Sequence, residues 1–389
     1  MTNPATAILP LFLMLLGPST ALAEPMILTK QDAKEAVDYV HERYLQDYTS
    51  FGNKKILDWQ KSVVSMMFVH AYDVLGDAKY LKWAKEALFV DYNLSDDQCW
   101  GANAVLELNL HQVQLAAKKH KDPAGKEIEV IDSYQDIFDH ALTTSPQSAP
   151  PFFYGYYDDP KTQGGGGIFW NRDHRSYNTC TLAQAATLAF RMPEKEINGK
   201  SPREFASTWL HLQCDLLIDK DTGLVFDNYQ LRNKRHYPGN YSYNNGTVLA
   251  ALGLASKKAK ERHPGIREVS GKVMNFVMTD MAEDGVLYSP SADFGNSNAH
   301  AFNGVFMHFA PLFFFSDAPE DARKQMETLV NQSASAVRKQ MTSNRTAISY
   351  SWGKPFNETE ANCMTTVSGV ECLLTYLQIK NKILPIDYR

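Results

Sequence analysis

The 389-residue sequence has no excess of basic residues, since 39 Lys and Arg stand against 44 Asp and Glu, giving a formal net charge of -5. A nucleic-acid partner is therefore not expected, because phosphate binding requires a concentrated positive surface. Beyond the first 23 residues the chain also has no apolar run long enough to cross a bilayer. With 44% hydrophobic and 21% charged residues, the composition is that of a globular protein without a membrane span.

The motifs of several common chemistries are missing as well. No predicted helix carries two His residues at metal-ligand spacing, and no G-x-S-x-G elbow marks a serine hydrolase. The glycine run Gly164–Gly167 lacks the Lys and Ser/Thr that follow in a phosphate loop. We therefore expect neither a metal nor another cofactor.

Cysteine is scarce, and its spacing fits no zinc pattern. The five cysteines are Cys99, Cys180, Cys214, Cys363 and Cys372. In an oxidising compartment they would allow one or two disulfides and leave at least one thiol unpaired. The sequence does not fix the pairing.

The first 23 residues have the pattern of a secretory signal peptide. Ile8–Leu16 is a short apolar run, and Ala21-Leu22-Ala23 forms a small-residue cleavage site. A membrane anchor is the alternative, but the apolar run is too short to span a bilayer. We expect a secreted, extracellular protein. Because no Pro-, Gly- or Ser-rich linker divides the remainder, residues 24–389 are predicted to form one domain.

Helical periodicity dominates the chain. Between Lys55 and Leu75, apolar residues recur every three or four positions, which predicts an amphipathic helix. The other segments with this pattern are Lys30–Tyr48, Ala78–Val90, Asp96–His120, Ile131–Thr143, Thr181–Arg191, Pro202–Leu217, Asn244–Glu261, Ile266–Thr279, Ala301–Ser316, Pro319–Met341 and Thr365–Lys380. Twelve helices predict six helical hairpins, arranged as a closed barrel or an open solenoid. The lack of a fixed sequence repeat favours the barrel.

Two segments between predicted helices are rich in aromatic residues. Ser145–Asn178 contains PPFFYGYYDD and GGGGIFWN, and His236–Gly246 reads HYPGNYSYNNG. Loops as long as the first are usually functional in a compact domain. Because sugar sites combine flat aromatic faces with amide and carboxylate groups, the pair of loops indicates carbohydrate binding. The alternative is that the rings only pin the loops to the helices.

Hydrolysis of a glycosidic bond requires two carboxyl groups. Asp96 and Asp97 are adjacent, directly after Ser95, at the predicted start of a helix. Acidic residues in a first turn are also explained by the helix macrodipole alone. Asp158–Asp159, in the aromatic loop, is a rival pair of equal chemical merit. Local spacing does not decide between the two pairs.

Several motifs, taken in order, resemble glycoside hydrolase family 76, the endo-α-1,6-mannanase family. The stretch Asp96–Trp100 resembles the family's Asp-Asp-x-x-Trp catalytic stretch. Gly165–Trp170, followed by Tyr177–Thr179, resembles its Gly-Gly-Gly-Ile-x-Trp and Tyr-x-Asn segments. Tyr241–Gly246 and Phe302–Phe306 resemble two further segments of the family. Together these motifs span most of the chain.

The resemblance implies an all-α fold, an (α/α)6 barrel of about twelve helices, that cleaves α-1,6-mannosidic linkages in mannan. It also implies a retaining mechanism, with Asp96 as nucleophile and Asp97 as acid/base. The expected substrate contacts are Trp100, Asn103, Gly166, Gly167, Phe169, Trp170, Tyr177, Asn178, Tyr241, Tyr243, Asn244 and Phe302. Cys99 and Asn303 depart from the family's usual residues at positions that bear on substrate contacts. A monomer with a polysaccharide or oligosaccharide substrate is expected.

Three alternatives remain open at this stage. Some family members are thought to transfer glycans during cell-wall assembly, and a transferase would prefer a sugar acceptor to water. A carbohydrate-binding protein that lost catalysis would keep the same cleft. Another (α/α)6 enzyme, such as an epimerase or an unsaturated-uronide hydrolase, would be expected to use different residues.

Six Asn-x-Ser/Thr sequons predict a glycoprotein if the source is eukaryotic. They begin at Asn93, Asn240, Asn245, Asn331, Asn344 and Asn357. Two of them, Asn240 and Asn245, fall in the Tyr-rich loop assigned to the cleft, where a glycan would block sugar entry. Both are predicted to be unoccupied.

Overall fold

A computed structural model describes residues 28–46, 56–89, 95–113, 115, 117–121, 127–131, 156–157, 167–168, 170, 176–193, 201–258, 264–341 and 346–389. Within these ranges the α-helices are α1 (Lys30–Gln46), α2 (Asp58–Leu75), α3 (Lys79–Ala87), α4 (Ser95–Leu110), α5 (Thr179–Arg191), α6 (Pro202–Leu216), α7 (Ser242–Lys258), α8 (Pro264–Asp280), α9 (Phe302–Phe314), α10 (Glu320–Met341) and α11 (Cys363–Lys380). None of these helices combines the length and the apolarity needed to cross a membrane.

Short antiparallel strands connect some of the helices. They are β1 (Ala117–Lys121), β2 (Glu127–Ile131), β3 (Tyr156–Tyr157), β4 (Gly167–Ile168), β5 (Ser176–Asn178), β6 (Asn228–Gln230), β7 (Arg235–Tyr237), β8 (Ala282–Glu283) and β9 (Val286–Leu287). The pairs are β1 with β2, β3 with β4 and β8 with β9, and β5, β6 and β7 form a three-stranded sheet.

Capping residues mark the starts of several helices. Ser201 precedes Pro202 as predicted, and its hydroxyl accepts a hydrogen bond from the backbone N–H of Glu204 (3.3 Å). The Glu204 carboxylate accepts from the Ser201 N–H in return (2.6 Å), which completes a capping box. Asn178 caps α5 in a similar way, accepting from the N–H of Thr181 (3.3 Å).

Six helices form a closed inner ring. α2, α4, α5, α7, α9 and α11 pack against one another in this order, and α11 packs against α2 to close it. Outside the ring, α1 lies against α11 and α2, α3 against α2, α6 against α5, α8 against α7, and α10 against α11. Every residue of α5 is buried, as expected for an inner helix. The structure confirms the predicted all-α barrel and is not an open solenoid.

The predicted helix Asp96–His120 is too long. α4 ends at Leu110 because Gln112 adopts the left-handed conformation, with a φ of 61°. The Val113 N–H then donates to the Leu108 carbonyl (3.0 Å), which closes the helix end. The residues beyond this turn leave the helix axis.

Residues 117–121 form a strand that pairs with residues 127–131. The sequence EIEVI at 127–131 alternates charged and apolar residues with the period of a strand, a pattern that the predicted helices did not take into account. The predicted helix Ile131–Thr143 lies outside the described residues except for Ile131, which ends β2.

All five cysteines lie among the described residues; each is buried and none takes part in a disulfide. Cys363 and Cys372 both lie on α11, and nine residues of helix separate their Cα atoms by about 13 Å. This distance is roughly twice what a disulfide can span. The sequence left the disulfide pairing open, and in the structure no two of the five cysteines are paired.

Glycines allow neighbouring inner helices to approach closely. A Cβ atom added to Gly246 on α7 would lie 2.5 Å from the Cα atom of Phe306 on α9. One added to Gly253, two turns later, would lie 2.8 Å from the carbonyl oxygen of Leu312. Because real Cβ contacts are longer, these crossings require glycine.

A buried ionic network fills the barrel towards the C-terminal ends of the inner helices. The two ring nitrogens of His308 each lie 3.0 Å from a carboxylate oxygen, one of Glu107 and one of Glu371. Nδ1 of His70 lies 2.6 Å from the other oxygen of Glu371. Since both nitrogens of His308 face acceptors, the ring is the doubly protonated imidazolium.

The network continues into the C-terminal tail. The guanidinium group of Arg191 donates to Glu107 (3.1 Å) and to Asp387 (2.9 Å). Arg191 is at the end of α5, Glu107 is on α4, and Asp387 lies beyond α11. The pairs therefore join two inner helices and fix the tail across the end of the barrel.

The charges in this network shift the pKa values of its members. Burial alone would lower the pKa of His308, but the charges of Glu107 and Glu371 outweigh it and raise the pKa to about 10. Burial alone would raise the pKa of Glu371, but His308 and His70 outweigh it and lower the pKa to about 2. His308 and Glu371 thus both stay charged near neutral pH.

We predict that Gly246→Ala destabilises the protein by about 1–3 kcal/mol, because the methyl group overpacks the crossing of α7 and α9. Gly271→Ala on α8 is the matched control, since its added Cβ would have a nearest neighbour 3.9 Å away, at Pro319. That substitution should be neutral or stabilising by up to about 1 kcal/mol. Urea unfolding checks both values, and equal effects of the two substitutions would contradict the close crossing.

We predict that the free energy of unfolding is greatest between pH 4.5 and 6.5. The lowered pKa of Glu371 gives stabilisation that is complete above 4.5 and is lost as the pH falls towards 2. The raised pKa of His308 gives stabilisation that is complete below 6.5 and is lost as the pH rises towards 10. Urea unfolding across this range measures the profile.

Glu371→Gln should cost about 3–5 kcal/mol, because it leaves the His308 charge short of a buried partner, and should flatten the acid limb. Glu320→Gln, which breaks an exposed pair with Lys324, should leave the profile unchanged. A wild-type profile that is flat across the range would contradict the ionic network.

Candidate active site

A cavity of about 490 Å³ lies at the N-terminal ends of the inner helices, a volume typical of small-molecule sites. It is lined by Leu57, Trp59, Asp97, Trp100, Trp170, Asn178, Cys180, Asp227, Tyr241, Tyr243, Asn296, Asn298 and Phe302. Five inner helices contribute first-turn or immediately preceding residues, so these helices run in the same direction. The cavity is therefore the open end of the barrel.

The first turn of α4 carries the predicted catalytic pair. α4 begins at Ser95, so Asp96 and Asp97 both lie where the positive end of the helix dipole favours carboxylates. Asp97 is partly buried and lines the cavity. Trp100 follows three residues later on the same helix face and also lines it. The side chain of Asp96 lies outside the described residues.

Asp227 is a second carboxylate in the cavity. Its Oδ1 atom accepts from the side-chain amide of Asn244 (3.0 Å), and its Oδ2 atom accepts from that of Asn228 (3.1 Å). Its backbone carbonyl accepts from the N–H of Thr179, at the start of α5 (2.9 Å). These bonds hold the carboxylate in place. The sequence-based prediction missed Asp227, because no local motif marks it and only the fold brings it to Asn244.

Aromatic rings form a large part of the cavity wall. Tyr243 and Phe302 lie 4.3 Å apart between ring centroids, and Tyr241 lies 5.4 Å from Phe302. Trp59 and Trp100 form a second group, with centroids 5.6 Å apart. Burial, and then the charge of Asp227, raise the pKa of Tyr241, so its hydroxyl stays protonated at neutral pH.

The residues that precede α9 complete the wall. The indole N–H of Trp59 donates to the Asn298 side-chain oxygen (3.0 Å), and the Gln60 amide donates to the Ser297 carbonyl (2.8 Å). These bonds tie the first turn of α2 to the segment that carries Asn296 and Asn298. Sequence reasoning missed these two amides, since they lie in a stretch without a recognisable motif.

Six of the twelve predicted substrate contacts line the cavity. They are Trp100, Trp170, Asn178, Tyr241, Tyr243 and Phe302. Gly166 and Phe169 lie outside the described residues, as does the rival pair Asp158–Asp159. The fold therefore brings together residues that are far apart in the chain, such as Trp100 and Phe302, as the resemblance of their motifs to the family implied.

The other four predicted contacts lie behind the wall. Asn103 is fully buried, donating to the Cys99 carbonyl (2.9 Å) and accepting from Arg191 (3.4 Å). Asn244 is buried and supports Asp227, as described above. Tyr177 is buried in β5, and a Cβ atom on Gly167 would lie 2.7 Å from its ring. In this structure these side chains support the site and do not line it.

One group of described residues has the composition of a metal site. Ligand atoms of His70, His308 and Glu371 lie within 4.8 Å of one another. They are members of the ionic network, where Nδ1 of each imidazole already bonds to one oxygen of Glu371. The nitrogen and oxygen atoms that could bind a metal are therefore already hydrogen-bonded to one another. The group lies at the end of the barrel opposite to the cavity.

The closed ring of paired helices, with an aromatic and carboxylate cleft at its N-terminal end, defines the class as an (α/α)6-barrel protein with a carbohydrate-type site. The sequence profile of glycosyl hydrolase family 76 matches residues 29–385, and the chain belongs to this family. The resemblance found in the motifs is thereby confirmed.

Solved structures with the same fold include two proteins of interest. The α-1,6-mannanase GH76A of Salegentibacter sp. HEL1_6 is 20% identical, with a TM-score of 0.66 over 89% of this chain and 98% of that one. An inactive variant of that enzyme was solved with α-1,6-mannotriose. Dfg5 from Chaetomium thermophilum, in complex with glucosamine, is 15% identical, with a TM-score of 0.66 over 92% of this chain and 93% of that one. No curated protein matches the chain in sequence.

We predict that Asn245 carries no glycan in protein secreted from a eukaryotic host. Its side chain is fully buried, and its amide donates to the Tyr241 carbonyl (3.0 Å), so a glycan would prevent α7 from packing. Asn331 on α10 is exposed and serves as the accessible comparison. Peptide mass spectrometry checks both positions. Glycan on Asn245 in folded protein would contradict the placement of this helix.

Proposed function

We propose that the chain is a secreted, retaining glycoside hydrolase that cleaves α-1,6-mannosidic linkages in mannan. The observation that supports it most directly is the position of Asp97, in the first turn of α4 and facing the aromatic cavity. Family membership supports glycoside hydrolysis in general. The mannotriose complex of the Salegentibacter enzyme supports an α-1,6-mannan substrate.

In the proposed reaction Asp96 is the nucleophile and Asp97 is the acid/base. Asp97 protonates the leaving glycosidic oxygen while the carboxylate of Asp96 forms a bond to the anomeric carbon. Asp97 then takes a proton from water. The water oxygen attacks the anomeric carbon on the face from which the leaving group departed, and it displaces Asp96. Two inversions give retention of the α configuration.

Adjacent carboxylates suit this division of roles. The proposed mechanism requires the pair to hold one proton between them at working pH, which like charges close together favour because they cannot both ionise easily. The carboxyl group that keeps the proton is the acid, and the ionised carboxylate is the nucleophile. Asp227, held by Asn244 and Asn228, would hydrogen-bond sugar hydroxyls at the same cleft.

We also propose that residues 1–23 direct secretion and that residues 24–389 act as one catalytic domain and as a monomer. The apolar run and cleavage pattern support the first point. The continuous inner ring, which includes helices from both halves of the chain, supports a single domain.

Glycan transfer is the second candidate function, because a glycosyl-enzyme can pass its sugar to the hydroxyl of another sugar as well as to water. The likeness to Dfg5, which was solved in complex with glucosamine, supports a sugar as the ligand of this site. Transfer and hydrolysis share the first half of the reaction, up to the glycosyl-enzyme. They differ in whether water or a sugar hydroxyl takes the glycosyl group in the second half.

We predict that wild-type protein releases sugars from linear α-1,6-mannan and that Asp96→Asn lowers the rate by at least about a thousandfold, because the covalent catalyst is lost. Asp97→Asn should also abolish turnover on mannan, whose leaving group needs protonation. Asp284→Asn is the matched control, since Asp284 is exposed in a turn with a φ of 51°, where Asn is well accommodated. Reducing-sugar assays measure all four proteins.

Full activity of Asp96→Asn would move the chemistry to other carboxyl groups, with Asp227 and the pair Asp158–Asp159 the next to test. NMR of the first product should show the α anomer, and a β anomer would contradict retention. Products longer than the substrate, formed only when a sugar acceptor is added, would establish transfer in place of hydrolysis.

A further inference from the structure

Exposed aromatic rings are concentrated at one end of the barrel. In the part of the chain that the structure describes, the large exposed hydrophobic side chains are Trp170 (39% exposed), Tyr237 (46%), Tyr288 (40%) and Leu384 (42%). Trp170 lines the cavity, whereas Leu384 follows α11 at the opposite end. The two tyrosines belong to neither the cavity wall nor the buried core.

Both tyrosines adjoin the cavity wall. The carbonyl oxygen of Tyr237 accepts from the backbone N–H of Asp227 (2.9 Å), which lines the cavity. Tyr288 precedes Ser289, whose hydroxyl accepts from the N–H of Ser242 (3.0 Å). Ser242 stands between the two wall residues Tyr241 and Tyr243. The exposed rings therefore lie on the same face of the barrel as the cavity mouth.

The two rings are carried by strand hairpins that are tied to one segment. Tyr237 ends β7 and pairs with Asn228 across the sheet, and Tyr288 directly follows β9. The hydroxyl of Tyr288 donates to the Asp280 carbonyl at the end of α8 (3.2 Å), which holds the ring in place while 40% of the residue stays exposed. The N–H of Asn240, between the hairpins, donates to the Ser291 hydroxyl (3.0 Å).

We propose that Tyr237 and Tyr288 form an outer carbohydrate platform, which binds the part of a polysaccharide chain that extends beyond the cavity. The inference rests on the proposed function. It adds that the enzyme prefers polymers to short oligosaccharides as substrates. Flat rings presented on braced hairpins match the apolar faces of pyranose sugars at little entropic cost. Because this surface continues the cavity wall, its expected occupant is a polysaccharide chain that also passes through the cavity.

The platform predicts a substrate-dependent effect of substitution. Tyr237→Ala and Tyr288→Ala should each raise KM for polymeric mannan about threefold to tenfold, the range expected for one stacking contact, with kcat unchanged. KM for a short α-1,6-mannooligosaccharide that fills only the cavity should not change. Tyr237→Phe keeps the ring and should behave as wild type, and Leu384→Ala is the control at the opposite end.

Equal losses on polymer and short substrate would overturn the platform, since they would indicate a disturbed cavity. An unchanged KM for the polymer in the double variant would also overturn it, with hydrolysis itself still established.

Electrophoresis through gels that contain mannan separates the platform from the proposed catalysis. Wild type should be retarded and Tyr237→Ala/Tyr288→Ala should migrate faster, whether or not the polymer is cleaved. Retardation of wild type without hydrolysis would leave the platform standing and overturn the proposed hydrolase. Equal migration of wild type and the double variant would overturn the platform.

Discussion

The closure of six inner helices into a ring is the constraint on which the other features of this structure depend. A ring of parallel helices buries each member on all sides, so the inner helices cannot be amphipathic in the usual sense. α5, in which every residue is buried, shows this directly. Closure also brings the N-terminal turns of the ring together at one end, and the capping residues and loops of that end become the walls of a single cavity.

Close packing in the ring disfavours unpaired charges. The charges that do lie inside are matched, with the imidazolium of His308 between the carboxylates of Glu107 and Glu371. Arg191 extends the network to Asp387 and so secures the chain beyond the last helix. One end of the barrel is thus held by ion pairs, which leaves the other end free to carry a polar, aromatic cleft.

Much of the fold followed from the sequence, because apolar residues at helical spacing and caps such as Ser201 marked most of the helices. The amphipathic helix predicted for Lys55–Leu75 is α2, which is buried at most positions because it belongs to the inner ring. The end of α4 did not, because the left-handed turn at Gln112 has no strong sequence signal. The strand at 127–131 was visible as alternation but was overlooked beside the stronger helical pattern. Long-range ring order could not be derived from local periodicity at all.

The site was predictable where it consists of motifs at helix starts. Asp97, Trp100, Tyr243 and Phe302 all belong to such motifs and meet at the cavity. Asp227 has no motif and reaches the cavity only through its bonds to other segments. Asn103 was predicted to contact substrate because it lies next to a motif in the same helix. Its side chain instead points into the barrel, where it accepts a hydrogen bond from Arg191.

Mass spectrometry after reaction with a fluorinated α-mannosyl fluoride, which slows breakdown of a covalent intermediate, tests most directly the claim that the first turn of α4 carries the nucleophile. One mannosyl adduct is expected on the peptide that contains Asp96, and no adduct is expected in Asp96→Asn. An adduct on a peptide that contains Asp227, or turnover of mannan with an inverted first product and no adduct, would contradict it.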